Sequence, residues 1–280
     1  MQAFDHKGRK ALIQAAKPAL TAIAVFDIDG VVRDVGGSYR RALADTVEHF
    51  TNGSYRPSSE EIDDLKSEGI WNNDWEASQE LIRRYFQAQG QSQLDLTYEE
   101  IVAFFQSRYR GPNPNELTGY ICQEPLLMSA TYTEQLTQAN IGWGFFSGAT
   151  RTSATYVLQQ RIGLQSPLLI AMEDAPGKPD PTGLFLTVQQ LEQSLGETSK
   201  AAVFYVGDTV ADMQTITKAQ QLQPDRTWLA IGILPPHVQT SSERQDAYAA
   251  TLKQAGAIAV FEQVEQLTPE AIHQLIERSA

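Results

Sequence analysis

Two aspartates stand two residues apart at the end of an apolar run in this chain. The run covers residues 22–26 and is followed by Asp27, Asp29 and Gly30. Its β-branched and aromatic residues are typical of a buried strand, and the glycine marks its exit. Carboxylates at a strand end cost desolvation free energy unless a partner offsets it. Two interpretations follow: the carboxylates hydrogen-bond a turn, or they share a divalent cation and one of them is a nucleophile.

Three further polar sites follow along the chain. Ser147 comes directly after the apolar run 141–146, Asp208 comes shortly after the run 201–206, and Lys178 lies between a glycine and a proline. Each has an ordinary structural explanation: a helix N-cap for the serine, a solvated surface position for the lysine, and a helix N-terminal charge for the aspartate. Whether these residues have a structural or a catalytic role therefore depends on the elements that position them and on their order along the chain.

Alternating strand and helix patterns predict an α/β fold, with a parallel sheet covered by helices on both faces. Residues 184–195 show the three-to-four-residue apolar spacing of an amphipathic helix. In such sheets ligands bind at the carboxyl ends of the strands, which is where the polar sites fall. The runs that predict strands are residues 22–26, 141–146, 168–172, 201–206 and 228–234.

One long interval interrupts this alternation. Residues 35–125 carry helical apolar stripes and no convincing strand, and glycine- and proline-rich stretches lie near both ends. We therefore predict an α-helical cap domain at 35–125, hinged over a core domain formed by residues 1–34 and 126–280. The alternative is a single domain with extra helices packed on one face.

Taken together, the polar sites resemble the haloacid dehalogenase (HAD) superfamily, in the subfamily I branch with a helical C1-type cap that includes phosphoglycolate phosphatase-like and phosphomutase-like proteins. The motifs that carry the resemblance are residues 27–34, 145–151, 177–181 and 206–212, in the family's order. It implies a Rossmann-like core with the cap inserted after the first strand. The departures are mild: Val31 and Val32 replace the usual Thr-Leu, and Val35 stands where serine is common.

The resemblance also implies roles for individual residues. Asp27 would be the nucleophile that forms an aspartyl-phosphate, and Asp29 the general acid and base. Ser147 would donate its hydroxyl to a phosphoryl oxygen beside the backbone N–H of Gly148, and Lys178 would neutralise charge on Asp27 and the phosphoryl group. The acid at position 29 favours phosphoryl transfer, because haloacid-cleaving members lack it and a halide leaving group needs no proton.

Magnesium is the cofactor that this resemblance implies. Its ligands would be Asp27, the backbone carbonyl of Asp29, and Asp208, since magnesium takes oxygen ligands and keeps several waters. Asp212 lies about one helical turn after Asp208, which fits a partner that orients the site, with direct ligation as the alternative. Arg151 either anchors substrate or simply sits on the following helix.

The predicted cap holds one conspicuous polar and aromatic segment, residues 69–75. Trp71, Asn72 and Asn73 could recognise a substrate, the ring by its face and the amides through hydroxyl or carboxylate groups. The alternative is a helix start capped by Asn73 or Asp74, with the tryptophans packed in the cap's own core.

Three cap cations complete the candidates. Arg40 and Arg41 could meet a substrate carboxylate or a second phosphate. Lys66 is the cap lysine that a phosphonate hydrolase would use as a Schiff base, but its sequence neighbours are not apolar enough to favour that chemistry.

Composition limits the class of function. The 280-residue chain has a formal net charge of −12, which argues against nucleic-acid binding, and a single cysteine, Cys122, which leaves no intramolecular disulfide. No apolar stretch approaches the roughly 20 residues that span a bilayer, so we expect a cytoplasmic protein without a membrane partner.

The sequence as a whole predicts a magnesium-dependent phosphatase that acts on a small-molecule phosphate ester, with a phosphosugar or a phosphoglycolate-like acid as the first guess. A phosphomutase is the alternative within enzymes. A non-catalytic binding protein on the same fold is a further alternative, which the presence of Asp27, Asp29 and Lys178 disfavours. The oligomeric state stays open.

Overall fold

The fold is built on a six-stranded parallel sheet with the strand order β3-β2-β1-β4-β5-β6. The computed structural model describes residues 19–71, 73–91, 96–113, 116–196 and 200–279. The strands are β1 Ala22–Phe26, β2 Ile141–Phe146, β3 Leu169–Ile170, β4 Ala202–Gly207, β5 Trp228–Ile233 and β6 Ala259–Phe261. Every pairing between neighbouring strands is parallel. The predicted α/β fold with a parallel sheet is confirmed.

Ten α-helices lie among the described residues. They are α1 Tyr39–Phe50, α2 Ser59–Ser67, α3 Asp74–Ala88, α4 Tyr98–Tyr109, α5 Ala130–Gln138, α6 Arg151–Thr155, α7 Thr182–Leu195, α8 Val210–Leu222, α9 Ser242–Gln254 and α10 Pro269–Ser279. A π-helical turn, Tyr156–Arg161, continues α6, and short 3₁₀ turns cover Tyr120–Gln123, Pro236–Val238 and Val264–Gln266.

Strand β1 forms the middle of the sheet, and all five of its residues are buried. An unbroken apolar run suits this place because both faces of a parallel strand are covered by helices. Its last residue, Phe26, lies opposite Phe145 of β2 and Val206 of β4. The three strands therefore end at one edge of the sheet. The polar residues that follow them at this edge are Asp27, Ser147 and Asp208.

Separate hydrophobic clusters cover the two faces of the sheet. One contains Tyr132 of α5 and Ile272 of α10. The other contains Leu184 of α7, Ile216 of α8 and Leu252 of α9. The sheet is thus held between two helical layers, which fixes the positions of the strand ends to which the polar residues are attached.

The inserted segment, residues 35–125, contains helices α1 to α4 and no strand among its described residues. It has a hydrophobic cluster of its own, with Leu43, Ile62, Leu81 and Phe105 buried together. A separate cluster is what a separately packed unit requires. The division into core and cap domains stays a prediction.

Two connections join the inserted segment to the sheet, and they run side by side. Asp34 N donates to Pro125 O at 2.9 Å, and Leu127 N donates to Val32 O at 2.8 Å. The chain that leaves β1 is thereby fastened to the chain that returns toward α5. No helix within the described ranges combines the length and the apolar character that a bilayer crossing needs.

Candidate active site

A cavity of about 570 Å³ lies over the carboxyl edge of the sheet, between the sheet and helices α1 to α3. Its floor carries residues from all four motifs, which are far apart in sequence. The predicted site residues that line it are Asp27, Asp29, Ser147, Gly148, Lys178, Asp208 and Asn73, and two of the three candidate cap cations, Arg40 and Lys66, line it as well. The volume is within the range of roughly 300–1,000 Å³ that is usual for small-molecule sites.

Asp27 lies at the floor of this cavity and is almost fully buried. Its Oδ1 accepts a hydrogen bond from Ile28 N at 2.7 Å, and its Oδ2 lies 2.7 Å from Lys178 Nζ. Burial raises the pKa of Asp27 to about 6, while the charge of Lys178 opposes that rise. The carboxylate is thus fixed by one donor and one cation at the cavity floor.

Lys178 bridges two carboxylates. Its Nζ lies 2.7 Å from Asp27 Oδ2 and 2.6 Å from Asp212 Oδ1, and the side chain is buried. Burial by itself lowers the pKa of Lys178, but the carboxylates of Asp212 and Asp27 outweigh it and hold that pKa well above the ordinary value. The site therefore keeps a buried positive charge next to Asp27.

Asp208 brings a further buried carboxylate to the same floor. The loop after β1 approaches it so closely that a Cβ on Gly30, whose φ is +76°, would lie 2.0 Å from Asp208 Oδ2. Only glycine fits there. Burial, followed by repulsion from Asp212 and Asp27, raises the pKa of Asp208 well above its ordinary value.

These carboxylates fit a divalent cation. Oxygens of Asp27, Asp208 and Asp212 all lie within 4.8 Å of one another, and all three residues are buried. A hard cation such as magnesium takes carboxylate oxygens, and its charge would offset the repulsion among them. Asp27 and Asp208 are the side chains best placed to hold it.

Asp212 differs from the other two because both of its oxygens already have partners. Oδ2 accepts from Thr209 N at 2.9 Å and from Thr209 Oγ1 at 2.6 Å, which closes a capping box at the start of α8. Oδ1 accepts from Lys178 Nζ at 2.6 Å and from the Tyr205 hydroxyl at 3.2 Å. This geometry favours the orienting role over direct ligation.

Asp29 lines the cavity together with Asp27, and its side chain is 26% exposed. Its Oδ1 accepts from Arg33 Nε at 2.7 Å, and Arg33 Nη2 lies 2.5 Å from the same oxygen. Sequence reasoning assigned no role to Arg33. Its position inside the first motif, directly after Val31 and Val32, could have indicated a functional role, because a surface arginine is not expected there.

Ser147 is buried at the end of β2, and its Oγ accepts from Ala149 N at 3.1 Å. Helix α6 is capped by Thr150, so Ser147 is not the N-cap of that helix. Its hydroxyl hydrogen remains available for a ligand at the cavity floor, beside the backbone of Gly148.

The structure does not bring every predicted binding residue into the cavity. Arg151 is half-exposed at the start of α6, where its guanidinium pairs with the carboxylate of Asp174. It does not line the cavity. Of the two alternatives left open for Arg151, the structure favours a place on the helix.

The segment 69–75 behaves mainly as a helix start. Asn73 Oδ1 accepts from Trp75 N at 3.0 Å and caps α3, although Asn73 also lines the cavity. Trp71 Nε1 donates to Glu68 Oε2 at 2.7 Å, and Trp71 does not line the cavity. Asn72 lies outside the described residues.

A charged cluster that sequence reasoning did not assemble lines the opposite wall. Asp63 of α2 accepts from Arg40, from Arg244 of α9, and from His237 Nε2 at 3.1 Å. Burial would raise the pKa of Asp63, but the hydrogen bond from His237 and the charge of Arg40 outweigh it and hold that pKa at about 2. The pKa of His237 is lowered, mainly by burial. No motif signals this cluster, because its members come from distant parts of the chain.

Comparisons with known proteins show which family and fold this chain is similar to. The family model of haloacid dehalogenase-like hydrolases matches residues 21–220. A protein of Phytophthora nicotianae described as an imidazoleglycerol-phosphate dehydratase is 31% identical over 243 residues, which are 85% of this chain and 49% of that protein. The chain thus spans about half the length of this curated relative.

Solved structures share the fold. A phosphonoacetaldehyde hydrolase-like protein from Oleispira antarctica has a TM-score of 0.61 at 17% identity, over 94% of this chain and 96% of its own. A HAD family hydrolase from Deinococcus radiodurans, solved with bound phosphate and sodium, has a TM-score of 0.57 at 16% identity, over 90% and 94% of the two chains. At these identities the likeness concerns the fold alone.

Proposed function

Because this chain belongs to the haloacid dehalogenase-like hydrolase family, we propose that it is a magnesium-dependent phosphatase that hydrolyses a small phosphate ester through an aspartyl-phosphate on Asp27. The observation that carries the proposal is the position of Asp27 at the floor of a cavity, 2.7 Å from the buried Lys178 ammonium and clustered with Asp208. A nucleophilic carboxylate, a fixed cation and a metal-binding pair of carboxylates are the parts that phosphoryl transfer uses.

In the first half-reaction the Asp27 carboxylate attacks phosphorus. The bond between phosphorus and the leaving-group oxygen breaks, and Asp29 gives that oxygen a proton, so the alcohol leaves neutral. The Lys178 ammonium and the hydroxyl of Ser147 stabilise the charge on the phosphoryl oxygens. The N–H of Gly148 is the third donor in this role.

In the second half-reaction a water attacks the phosphorus of the aspartyl-phosphate. Asp29, now ionised, takes a proton from that water, and the Asp27 carboxylate leaves. Lys178 neutralises the carboxylate as it re-forms, because its Nζ lies 2.7 Å from Asp27 Oδ2 and is anchored by Asp212. The cycle returns both carboxyl groups to their starting states.

Asp27, Asp208 and the backbone carbonyl of Asp29 would hold the magnesium ion. When bound, the ion supplies positive charge to the phosphoryl oxygens and lets the clustered carboxylates stay ionised. Asp212 would orient the site through Lys178 and Thr209.

We also propose that residues 35–125 form a cap that closes over the leaving group. Helices α1, α2 and α3 supply the cavity wall that faces the sheet, including Tyr39, Arg40 and Asp63. Polar and charged side chains on this wall favour a leaving group with hydroxyl or anionic groups. Imidazoleglycerol phosphate, which the name of the Phytophthora relative contains, is itself a small phosphate ester and is a useful test compound.

Phosphate release from a panel of esters tests the proposal. The panel includes phosphosugars, phosphoglycolate and imidazoleglycerol phosphate, each with and without magnesium, for the wild type and the Asp27→Asn variant. We expect magnesium-dependent release that falls by at least about 10³-fold in the variant, because the nucleophile is lost. Turnover close to wild type in Asp27→Asn would contradict the covalent mechanism. Phosphoryl exchange without net release would point to a phosphomutase.

A further inference from the structure

We propose that Arg33 is a positioning residue that holds the Asp29 carboxyl group against the leaving-group oxygen, and that Glu124 in turn holds Arg33. The inference rests on the proposed phosphatase function, because it concerns the group that transfers the proton. Its motivation is an arginine that is 0% exposed and directly joined to Asp29.

The guanidinium of Arg33 is divided between two carboxylates. Nε and Nη2 lie 2.7 Å and 2.5 Å from Asp29 Oδ1. Nη1 donates to Glu124 Oε2 at 3.0 Å, and both of those side chains are fully buried. The planar guanidinium holds its N–H donors in a fixed geometry, so the contact with Glu124 on one edge determines the orientation of the edge that contacts Asp29.

The surroundings leave the guanidinium little freedom to move. It lies 5.7 Å from the ring centroid of Tyr39 on α1 and 5.8 Å from that of Tyr109 on α4. Nη2 also approaches Ser153 Oγ at 3.4 Å. Aromatic faces attract a guanidinium, and the contacts here come from two helices of the inserted segment and one of the sheet layer.

Glu124 is fixed from the other side. Its Oε1 accepts a hydrogen bond from Ser38 Oγ, immediately before α1. Arg33 belongs to the connection that leaves β1, whereas Glu124 belongs to the connection that returns to the sheet. The position of Asp29 is therefore tied to both connections of the inserted segment.

Fold stability alone gives little reason for this arrangement. A buried ion network commonly stabilises a protein no more than apolar residues of similar volume would. Proton transfer, in contrast, needs the carboxyl oxygen within hydrogen-bond reach of the leaving-group oxygen. Asp29 is the partly exposed member of the network, and it is the member that faces the cavity.

The test compares two esters in one protein sample. Aryl phosphates such as p-nitrophenyl phosphate have a leaving group that needs little protonation, whereas alkyl phosphates such as glycerol phosphate depend on the general acid. The parameter is kcat/KM, which reports the phosphorylation half-reaction. The ratio of the two kcat/KM values does not depend on the fraction of protein that is folded, so a destabilised variant remains informative.

Arg33→Lys keeps the charge but cannot hold both carboxylates through one planar fork. We expect its kcat/KM for the alkyl ester to fall by roughly 10- to 100-fold, which does not exceed the usual contribution of general acid catalysis. Its kcat/KM for the aryl ester should fall less than about 3-fold, because that leaving group needs little protonation. Asp29→Asn should show the same selectivity with a larger loss. Glu124→Gln should show it with a smaller loss, because it weakens the hold on Arg33 only.

A double-variant cycle separates positioning from a general structural role. If Arg33 acts through Asp29, Arg33→Lys should have almost no further effect on the alkyl ester in the Asp29→Asn background. The matched control is Arg108→Lys, since Arg108 is exposed on α4 with its guanidinium 5.5 Å from the Phe104 ring centroid. The control should leave the ester ratio unchanged.

The outcomes distinguish the inference from the function on which it rests. Two results would overturn the positioning role while leaving the phosphatase function in place. One is an equal loss of kcat/KM for both esters in Arg33→Lys. The other is an effect of Arg33→Lys on the alkyl ester that is unchanged in the Asp29→Asn background. Failure of the wild type to hydrolyse either ester, or any ester of the panel, would overturn the function and this inference together.

Discussion

Asp27 and Asp29 stand close together because each has a cation of its own. Lys178 lies 2.7 Å from Asp27, and Arg33 lies 2.5 Å from Asp29. Each cation offsets part of the repulsion between the two neighbouring carboxyl groups. Because each carboxyl group has its own cation, the two can have different roles, Asp27 as the nucleophile and Asp29 as the proton carrier.

Glu124 gives this network a pH dependence. Burial raises the pKa of Glu124 from its ordinary value to about 7, although Arg33 and Ser38 oppose the rise. The folded protein therefore binds this proton more tightly than the unfolded chain does. The resulting stabilisation is complete below the unfolded pKa of about 4.5 and is lost as the pH rises through about 7.

We accordingly expect Glu124→Gln to weaken the pH dependence of stability. Between pH 5 and 8 the free energy of unfolding of the wild type should fall more than that of the variant, by up to about 3 kcal/mol. Urea denaturation at the two pH values measures the difference. Glu134→Gln, at an exposed position of α5, is the control and should leave the slope unchanged. The same fall in unfolding free energy between pH 5 and 8 in the wild type and in Glu124→Gln would show that Glu124 does not cause the pH dependence.

The motif residues could be predicted from sequence because each follows a recognisable strand or turn. The structure brings Asp27, Ser147, Lys178 and Asp208 to one cavity floor, as their order in the chain predicted. Arg33 escaped prediction because its partner Glu124 is 91 residues away in sequence. No local pattern encodes such a pairing, since it depends on how the two connections lie against each other.

Among the features of the helices and strands, the register of the strands contributes most to the formation of the site. The ends of β1, β2 and β4 coincide, so the polar residues after them meet without further adjustment. The apolar runs predicted these strands because buried parallel strands are apolar throughout. The run 168–172 was less informative, since only Leu169–Ile170 pairs as a strand.

Short edge strands and helix starts were the harder elements to predict. Strand β6, Ala259–Phe261, has three residues and was not predicted, because so short a run carries no periodic signal. The segment 69–75 attracted a binding interpretation through its tryptophans, whereas Asn73 caps α3. Capping and recognition use the same polar side chains, so composition could not separate them.

In the whole molecule, the inserted segment meets the sheet layer through the charged cluster at the far wall of the cavity. Asp63 on α2 is the centre of that cluster and joins Arg40 of its own segment to Arg244 and His237 of the sheet layer. Among the described residues, the ion pair between Glu60 of α2 and Arg244 of α9 is a further charged contact between these two helices. The cluster therefore holds the proposed cap in place over the site.

Asp63→Asn should loosen this contact, because it removes the charge that two arginines share. We expect the free energy of unfolding to fall by about 1–3 kcal/mol and KM for the preferred ester to rise several-fold, with a smaller change in kcat. Asp225→Asn, which removes the same charge at an exposed position, should change stability by less than about 0.5 kcal/mol. Urea denaturation and steady-state kinetics measure both. An unchanged KM in Asp63→Asn would show that the cluster does not shape the substrate site.

The proposed mechanism depends on phosphorylation of Asp27, which can be observed in the Asp29→Asn variant. With an aryl phosphate this variant should still form the aspartyl-phosphate, because the leaving group needs little protonation, but it should hydrolyse the intermediate slowly because the base is missing. After a rapid acid quench, mass spectrometry should find one added phosphoryl group on Asp27, and none in the Asp27→Asn/Asp29→Asn double variant. A phosphoryl group on another residue, or phosphate release with no labelled protein at any time, would contradict the mechanism.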